Sequence, residues 1–310
     1  MRRAMVLAWG LLTLGGAGLA AAETVDREYD ESFAVAPGDT LRLLHGDGDV
    51  EIRPVATDRM DVHVWYHVEV HGIGGPRDLE VDFERAGSVI SVKGREVGAH
   101  FFVGGTIHEE YRYVIDAPAY MILDLHGYDG DVRVKDWSAD IRIDSADGDV
   151  RIDGARGDLS IALADGDVDL YDLEAGVATI RLQDGDLNLR GGSGDWDLEV
   201  DDGDVDLDDL AAGSVTIVAR DGDVELGLLS AGALDLDIRT ADGDVAVELP
   251  RGAGGSFDLG FDDGSVHLDV DGAVVESKGK HRLEGVLGGG GAGEVRIRTR
   301  DGDITLRDGR

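Results

Sequence analysis

The feature that most constrains this chain is a short acidic unit, Asp-Gly, that returns at nearly constant spacing. The pairs recur every 18 to 21 residues and begin at Asp129, Asp147, Asp165, Asp184, Asp202, Asp221, Asp242 and Asp263. Further copies begin at Asp47 and at Asp301, the second of them 38 residues after Asp263, which predicts one degenerate turn between them. A fixed period of this length indicates a repeat architecture in which each unit packs mainly against its neighbours.

Each unit has the same internal order of strand, turn, strand and corner. In one copy, the alternating run LSIAL (159–163) precedes DGD, and VDLYDL (168–173) follows it before the small-residue corner EAG. Because side chains alternate across a strand, Leu159, Ile161 and Leu163 share one face while polar residues take the other. We therefore expect every strand of the repeat to be half buried.

Two all-β architectures fit this pattern. In a parallel β-solenoid, each unit of about 19 residues is one coil, and equivalent strands of successive coils pair. In an antiparallel meander or sandwich, each Asp-Gly is a hairpin turn, and Asp-Gly between alternating hydrophobic residues is a strong hairpin signal. A long flat meander exposes its apolar face, whereas a solenoid covers that face with its own opposite wall. The constant period therefore favours the solenoid.

The ends of the chain differ from the repeat. Residues 1–22 place Arg2 and Arg3 before an apolar run that closes on alanines, which predicts a cleavable signal peptide and a mature chain starting at Glu23. The sequence then predicts three segments, which are a β-rich capping region (23–120), the DGD-repeat solenoid (121–272), and a Gly-rich loop with capping strands (273–310). We expect such an exported chain, which has no later transmembrane segment, in the periplasm, outside the cell or on its surface.

Charge and cysteine content exclude several functions. The chain has 65 acidic and 29 basic residues and a net charge of −36, which disfavours binding to nucleic acid, anionic lipid or polyuronate. It has no cysteine, so it can form neither a disulfide nor a thiolate metal site. The composition leaves the partner open, since a cell-envelope component, a glycan and a protein all agree with it.

Four sequence features occur together in one known group of proteins. They are FAVAPGDTLRLLHGDGDVEI (33–52), YRYVIDAPA (111–119), the repeated DGDV units, and GGGGAGEVRIRTRDGDITL (288–306). With them the chain, from about residue 33 to 310, resembles the putative-adhesin family of exported bacterial β-repeat proteins of unknown function. The resemblance implies a right-handed β-helix, similar to the head domains of auto-transporter adhesins, and it implies no catalytic residues. This chain departs from the family turn, Ser-Gly-Asp, by placing Asp at the first position.

The acidic turns are the main candidate site. If coils stack about 4.8 Å apart, each Asp lies above its counterpart, and two such charges repel by about 0.9 kcal/mol in bulk water. Carboxylates of successive coils could therefore hold Ca²⁺, as in calcium-binding β-rolls, although the nine-residue Gly-rich unit of those repeats is absent here. The candidate ligands are Asp147, Asp149, Asp165, Asp167, Asp184, Asp186, Asp202, Asp204, Asp221, Asp223, Asp242 and Asp244. In the alternative interpretation, these side chains accept hydrogen bonds from turn amides and need no ion.

A second candidate is a group of histidines in an alternating run. They are His63, His67 and His71. The valines between them indicate a strand, on which positions i and i+4 lie about 13 Å apart, too far to share one zinc ion. The face of His67, Glu69 and His71 could still contribute a pair of ligands together with His108 or Glu109. A solvated polar face is the alternative, and it agrees better with the spacing.

Three further motifs are weaker. Gly288, Gly290 and Gly293 satisfy G-x-G-x-x-G but precede a strand, whereas a phosphate-binding loop needs a helix N-terminus. Ser193 lacks the nucleophile-elbow pattern because Asp195 stands where glycine belongs. The tryptophans that could stack on sugars, or pack internally instead, are Trp65, Trp137 and Trp196.

These observations favour a non-enzymatic envelope or surface protein, an acidic β-solenoid that acts as an adhesin-like binding or structural module. A carbohydrate-active β-helix enzyme is the first alternative, but units of near-constant length leave little chain with which to build a substrate cleft. A Ca²⁺-responsive repeat protein, in which the ion orders the acidic turns, is the second alternative.

Overall fold

The computed structural model describes residues 22–75, 77–98, 101–229, 234–288 and 292–309. These residues form 24 β-strands and no helix, which confirms the all-β prediction. They accordingly include no helix with the length and hydrophobicity needed to cross a bilayer. The chain divides into two compact units, Met1–Trp137 and Ser138–Arg310. The predicted signal peptide lies outside the described residues except for its last residue.

The strands of the first unit are β1 (Ala22–Ala34), β2 (Thr40–Leu44), β3 (Asp49–Pro54), β4 (Arg59–Gly75), β5 (Asp78–Ala86), β6 (Val89–Val97), β7 (Phe101–Ala117), β8 (Ile122–His126) and β9 (Val132–Trp137). Those of the second unit are β10 (Ile141–Ser145), β11 (Val150–Arg156), β12 (Leu159–Asp165), β13 (Val168–Asp184), β14 (Leu187–Asp202), β15 (Val205–Asp221), β16 (Val224–Leu228), β17 (Asp235–Arg239), β18 (Val245–Leu249), β19 (Gly254–Asp263), β20 (Val266–Asp269), β21 (Val274–Lys278), β22 (Arg282–Gly288), β23 (Gly293–Asp301) and β24 (Ile304–Asp308).

In the second unit, each strand of the repeat pairs in parallel with the equivalent strand of the next copy. Val168 of β13 opposes Leu187 of β14, which in turn opposes Val205 of β15. Two columns of strands result, one on each side of the DGD turns, and we call one turn with its two flanking strands a rung. The antiparallel meander is wrong for this part of the chain, because hydrogen bonds join successive rungs and not the two strands that flank one turn.

Equivalent apolar side chains form continuous columns inside the second unit. The side chains of the central column are at most 1 % exposed, and in stacking order they are Ile143, Ile161, Ile180, Leu198, Ile217, Ile238, Ile297 and Leu259. Full burial of one such side chain contributes about 1.5–3 kcal/mol. Because each member packs on the members above and below it, the core is shared between rungs and belongs to none of them alone.

One rung contains a large side chain where its neighbours have small ones. Trp196 opposes Ala178 on one side and Val215 on the other, and it is only 2 % exposed. Its indole occupies the space beside Gly192, where an added Cβ atom would lie 3.0 Å from Cζ2 of the ring. The glycine, at the corner that leads into the strand of Trp196, therefore compensates for the volume of the tryptophan.

The last rung in sequence is not the last rung in the stack. β17 and β18 pair with β23 and β24, which pair in turn with β19 and β20, all in parallel. Asp242 and Asp263 therefore both oppose Asp301. The expectation of a degenerate turn between Asp263 and Asp301 is wrong, because the C-terminal segment inserts between two earlier rungs.

An antiparallel hairpin continues the sheet beyond β19. β22 pairs with β19 on one side and with β21 on the other. All five residues of β21 are exposed, and the exposed fractions of Val274 and Val275 are 55 % and 44 %. Within the described residues, β21 pairs with no other strand, so it is an edge strand of the second unit.

The first unit combines parallel and antiparallel pairing. β2 lies between β6 and β8, and β3 lies between β7 and β9, all in parallel. β4 pairs antiparallel with β1 and with β7, and β5 pairs antiparallel with β6. The segment boundaries that the sequence suggests after residues 120 and 272 stay predictions.

The central glycine of the DGD turn is required by the close approach of one turn to the next. Gly166, Gly185, Gly203 and Gly222 have φ between 124° and 144°, a region that residues with side chains rarely adopt. A Cβ atom on Gly185 would lie 2.2 Å from the carbonyl oxygen of Gly166 in the preceding rung. Backbone contacts backbone at this point, so no side chain fits.

Replacing Gly185 by alanine should lower the free energy of unfolding by about 2 kcal/mol or more, because strained φ alone costs about 1–3 kcal/mol. Gly213→Ala is the matched control, since its φ is ordinary and its Cβ atom would lie 3.5 Å from Oδ1 of Asp195. Urea unfolding followed by circular dichroism measures both variants. Equal effects at the two glycines would contradict the requirement for close approach.

Candidate functional site: the acidic turns

Backbone hydrogen bonds join each DGD turn to the next. The amide of Gly185 donates to the carbonyl of Asp202 at 3.0 Å, and the amide of Leu187 donates to the carbonyl of Asp204 at 2.9 Å. The next pair of rungs repeats both bonds. The pattern leaves the amide of the third-position Asp without a backbone acceptor, so this amide needs an acceptor from a side chain.

The carboxylate of the third-position Asp in the preceding rung is that acceptor. Oδ1 of Asp186 accepts the amide hydrogen of Asp204, whose own Oδ1 accepts that of Asp223, both at 2.8 Å. The other links, with donor–acceptor distances of 2.7 to 3.0 Å, are Asp167 to Asp149, Asp186 to Asp167, Asp244 to Asp223, Asp303 to Asp244 and Ser265 to Asp303. Third-position Asp thus acts as a turn acceptor along the whole stack of the second unit.

The hydrogen bond offsets the repulsion between stacked carboxylates. A hydrogen bond to a charged group contributes about 1.5–3 kcal/mol. Two carboxylates about 4.8 Å apart repel by about 0.9 kcal/mol in water, and salt lowers this repulsion further. The chain itself therefore stabilises this acidic column.

The first-position carboxylates have a different environment. Asp184, Asp202 and Asp221 line an open groove along the turns, beside the third-position side chains. Further along the stack, Asp242 is 2.9 Å from the guanidinium of Arg300. No group of three or more His, Asp or Glu side chains in the described residues is arranged to hold a metal ion. The Ca²⁺ ladder at the twelve Asp positions stays a prediction.

A second acidic column lies at the opposite corner of the rungs, and the sequence analysis missed it. The amide of Asp158 donates to Oδ1 of Asp140, and the amide of Val177 donates to Oδ1 of Asp158, both at 3.0 Å. A Cβ atom on Gly176 would lie 2.6 Å from that Asp158 oxygen. The repeated Gly-Asp pairs at 157–158 and 194–195 are the signal that could have revealed this column.

Three aspartates of the described residues adopt a left-handed backbone conformation, and two of them lie in the second unit. The φ angles of Asp172 and Asp209 are 52° and 58°, and in neighbouring rungs Gly154 and Gly191 have φ angles of 69° and 75°. Asp tolerates this region because its short polar side chain can bond locally. Because some rungs have Gly and others Asp at this position, the sequence does not show that the position is repeated.

The three histidines of the zinc hypothesis each have a separate carboxylate partner. The pairs are His63 with Asp30 at 2.6 Å, His67 with Asp26 at 2.6 Å, and His71 with Glu69 at 2.9 Å. The first two pairs join β4 to β1 across the antiparallel ladder. This arrangement is that of a polar strand face, the alternative stated above.

Two of the three candidate tryptophans are buried, and the third is half-buried on the polar face of β4. Trp137 is buried, and its Nε1 donates to the carbonyl of Met121 at 2.7 Å. Trp196 lies in the core of the second unit, as described above. Trp65 stacks on the imidazole of His67 with the ring centroids 5.7 Å apart.

The two remaining motifs lie in β-structure. Gly288 ends β22 and Gly293 begins β23, while Gly290 lies outside the described residues. Ser193 lies in the middle of β14, opposite Ala211 of β15. Neither motif is followed by a helix in the described part of the chain.

His45 was not a candidate from the sequence, yet its environment is unusual. The residue is 6 % exposed, and neither ring nitrogen has a hydrogen-bond partner among the residues that the structure describes. Its ring centroid is 5.5 Å from that of Tyr113, whose hydroxyl also lacks a hydrogen-bond partner in the described part of the chain. Burial, with a smaller effect of His126, lowers the pKa of His45 to about 4, so the imidazole is neutral at neutral pH.

An acidic hollow of about 530 Å³ lies on one wall of the second unit. Asp206 and Glu225 line it, together with Arg251 and Arg307. The guanidinium of Arg307 is paired with Glu248. The hollow therefore presents more unpaired acidic than basic groups, which suits a neutral or cationic ligand.

Comparison with protein families decides what kind of protein carries these turns. The family described as Toastrack DUF4097 matches residues 39–307. The chain belongs to this family. The toastrack match includes every Asp-Gly turn from Asp47 to Asp301, so the acidic repeat is part of the family domain.

Three solved structures are similar to this toastrack chain at low sequence identity. A "putative adhesin" from Bacteroides fragilis NCTC 9343 is 11% identical with a TM-score of 0.46, and the match covers 94% of this chain and 100% of that chain. A "putative lipid binding protein" from Parabacteroides distasonis ATCC 8503 is 11% identical with a TM-score of 0.46 and coverages of 90% and 96%. A "putative adhesin" from the same organism is 12% identical with a TM-score of 0.44 and the same coverages. No curated protein matches the chain.

Substitution of Asp186 separates the hydrogen bond from the charge. Asp186→Ala should lower the free energy of unfolding by about 1–2 kcal/mol, because the amide of Asp204 loses its acceptor. Asp186→Asn keeps an acceptor oxygen and should be clearly more stable than the alanine variant. Asp184→Ala, at the first position of the same turn, is the control and should change stability little. Thermal and urea unfolding measure all three, and equal losses at positions 184 and 186 would contradict the assignment.

Proposed function

We propose that this toastrack protein is a non-enzymatic, exported module of the cell envelope or cell surface, with an adhesin-like binding or structural role. The observation that carries the proposal is the repetition of equivalent outward side chains on successive rungs, while the turn carboxylates hold the rungs together. Membership of the toastrack family supports it, because the match spans nearly the whole described chain.

The repeated walls suit a partner that engages several rungs at once. On one wall Asp169, Asn188, Asp206 and Glu225 are neighbours in register, and the hollow lies on this wall. Weak contacts repeated along a rigid surface add up, because the first contact raises the effective concentration for the next. The negative charge favours a neutral glycan or a basic protein segment over an anionic polymer.

We also propose a geometry for the repeat and a cellular location for the protein. The array is a right-handed β-solenoid with coils of about 19 residues. The mature protein begins at Glu23 after removal of the signal peptide, and it acts in the periplasm or outside the cell. N-terminal sequencing of the tagged full chain recovered outside the cytoplasmic membrane tests the export.

Binding without cleavage is the expected result when the purified chain is applied to a panel of neutral and acidic glycans. Retention should occur without new reducing ends, since the proposal includes no catalysis. Asp206→Asn combined with Glu225→Gln should weaken retention, whereas Asp197→Asn combined with Glu199→Gln, on the other wall, is the matched control. Release of reducing ends that disappears on substitution of particular acids would overturn the proposal in favour of the carbohydrate-active enzyme.

The Ca²⁺ ladder is tested by thermal unfolding in EGTA, in millimolar Mg²⁺ and in millimolar Ca²⁺ at constant ionic strength. If successive turns bind the ion through their first-position carboxylates, Ca²⁺ should raise the midpoint above the Mg²⁺ value, since a ligand that binds only the native state stabilises it. Asp184→Asn combined with Asp202→Asn should remove this difference. Equal midpoints in the two ions would rule the ladder out.

A further inference from the structure

The core of the first unit contains a titratable side chain where the repeat has apolar ones. His45 follows β2 and continues the inward series of Leu41 and Leu43, both of which are fully buried. It stands two residues before an Asp-Gly pair, and at this position the second unit has buried residues such as Leu163 and Leu182. An imidazole therefore occupies a place in the core that an aliphatic side chain takes elsewhere.

The two neighbouring strands have glycine beside His45. One residue beyond the paired parts of β2 with β6 and with β8, the positions level with His45 are Gly94 and Gly127. Tyr113 of β7 enters this space, and its hydroxyl lies where it would collide with a Cβ atom on Gly94. Among the described residues, neither this hydroxyl nor the imidazole has a hydrogen-bond partner. Two polar rings thus pack on each other in the core with their polar atoms unused.

Each element around His45 contributes a titratable group. These groups are Asp47 in its own turn, Asp129 in the next turn, Tyr113 on β7, Glu96 on β6 and His126 on β8. Glu96 is already paired with Arg77 and accepts the hydroxyl hydrogen of Tyr111. Burial, and after it the second imidazole of His126, lowers the pKa of His45. A proton on the buried ring would create N–H groups without acceptors, which is unfavourable.

Backbone hydrogen bonds hold the turn that begins at His45 onto the next turn. The amide of His45 donates to the carbonyl of His126 at 2.9 Å, and the amide of Gly48 donates to the carbonyl of Asp129 at 2.8 Å. The carbonyl of Gly46 accepts the amide hydrogen of Asp129 at 3.1 Å. Gly46 is exposed, and a Cβ atom there would contact nothing within 4 Å, so the turn lies at the surface. We call residues 45–49 the His45 turn and residues 126–131 the Asp129 turn.

We propose that protonation of His45 in mildly acidic solution releases the His45 turn from the Asp129 turn. In the docked turn the imidazole takes up a proton only near its lowered pKa of about 4, whereas a released imidazole does so at the ordinary pKa of 6.5. The released form binds the proton first, so docking loses free energy as the pH falls from 6.5 towards 4 and is constant above this window. Outside the core, the carboxylates of Asp47 and Asp129 favour the imidazolium.

Asp47 titrates in the opposite sense. Burial, and after it the nearby Glu96 and Asp129, raise the pKa of Asp47 in the docked turn. A carboxyl group with a raised pKa stabilises docking at low pH, and this contribution is lost as the pH rises through its docked pKa. Asp47→Asn removes the opposing titration, so the effect of His45 can be measured by itself in this variant.

Hydrogen exchange of the full chain at pH 7 and pH 5, followed by mass spectrometry, tests the proposal. Rates in peptides that contain residues 45–49 are divided by the intrinsic exchange rates at each pH. In Asp47→Asn the normalised rate should rise by about twenty-fold from pH 7 to pH 5, because the pKa of His45 differs between 6.5 released and about 4 docked. The wild-type chain should show the same direction with a smaller rise. No rise in Asp47→Asn, or an equal rise in peptides of β13 and β14, would overturn the proposal.

Substitution of His45 identifies the trigger. His45→Leu introduces the residue that rungs of the second unit have at this position, and His45→Gln keeps a polar group that does not titrate. With Asp47→Asn also present, both should exchange at the same normalised rate at pH 7 and pH 5. His267→Gln, at an exposed histidine of the second unit, is the matched control and should keep the full rise. A rise that persists without His45 would show that another group is responsible.

A titration of the unsubstituted chain does not depend on whether the variants fold. The chain has nine histidines, and carbon-13 labelling of their rings allows each imidazole to be followed by NMR. One resonance should titrate clearly below the others, near pH 4, because its ring is buried without acceptors. If all nine titrate near the ordinary histidine pKa, the docked turn does not exclude the proton and the proposal is wrong.

Discussion

The hydrogen bond from a turn amide to the third-position carboxylate of the preceding rung determines the register of the repeat. Donor and acceptor belong to the same position of two successive DGD turns, as in Asp204 and Asp186. The bond therefore forms only when the rungs are parallel and aligned. A slip of one residue would also turn the apolar side chains away from the core. The conformation of the central glycine reinforces this alignment, since its backbone touches that of the turn before.

This arrangement explains how a chain with a net charge of −36 can stack its acids in columns. The third-position carboxylates are stabilised by amides, and those of the opposite corner are used in the same way. Ion pairs between rungs, such as Arg181 with Glu199 at 3.3 Å, are exposed and contribute little. Cohesion thus comes from the backbone ladders, the apolar columns and the hydrogen bonds of the turn carboxylates, which leaves the acidic walls available for a partner.

The sequence predicted the repeat, the inward-facing residues and the stacking of equivalent positions. The alternation of apolar and polar residues and the constant spacing of the Asp-Gly turns are both visible in short stretches of sequence. Three features were not predicted. The insertion of β23 and β24 depends on which strands meet in space, and the spacing of Asp301 from Asp263 concealed it. The corner column of Asp140 and Asp158 lacks a constant motif. His45 looks like an ordinary turn residue until the neighbouring strands bury it.

The same limits apply to the candidate site. Proximity of the acids in the turns was predictable from the period, but the role of each acid was not. The first and third positions of the turn carry the same residue type, Asp. They differ only in which backbone amide lies within reach of the carboxylate. Asp172 and Asp209 show the converse, because a glycine and an aspartate that look different in sequence satisfy the same left-handed backbone position.

The insertion of the C-terminal rung also affects how such a protein is synthesised and how it can evolve. Residues 254–269 leave the ribosome before residues 293–308, yet they lie outside them in the stack. The position that β23 and β24 occupy in the stack must therefore stay free until these last strands have been synthesised. Gene duplication can lengthen the protein between β12 and β16, where consecutive units are neighbours. A unit added after β18 would separate strands that have to meet, so in this chain the middle of the repeat accepts an added unit more readily than its end.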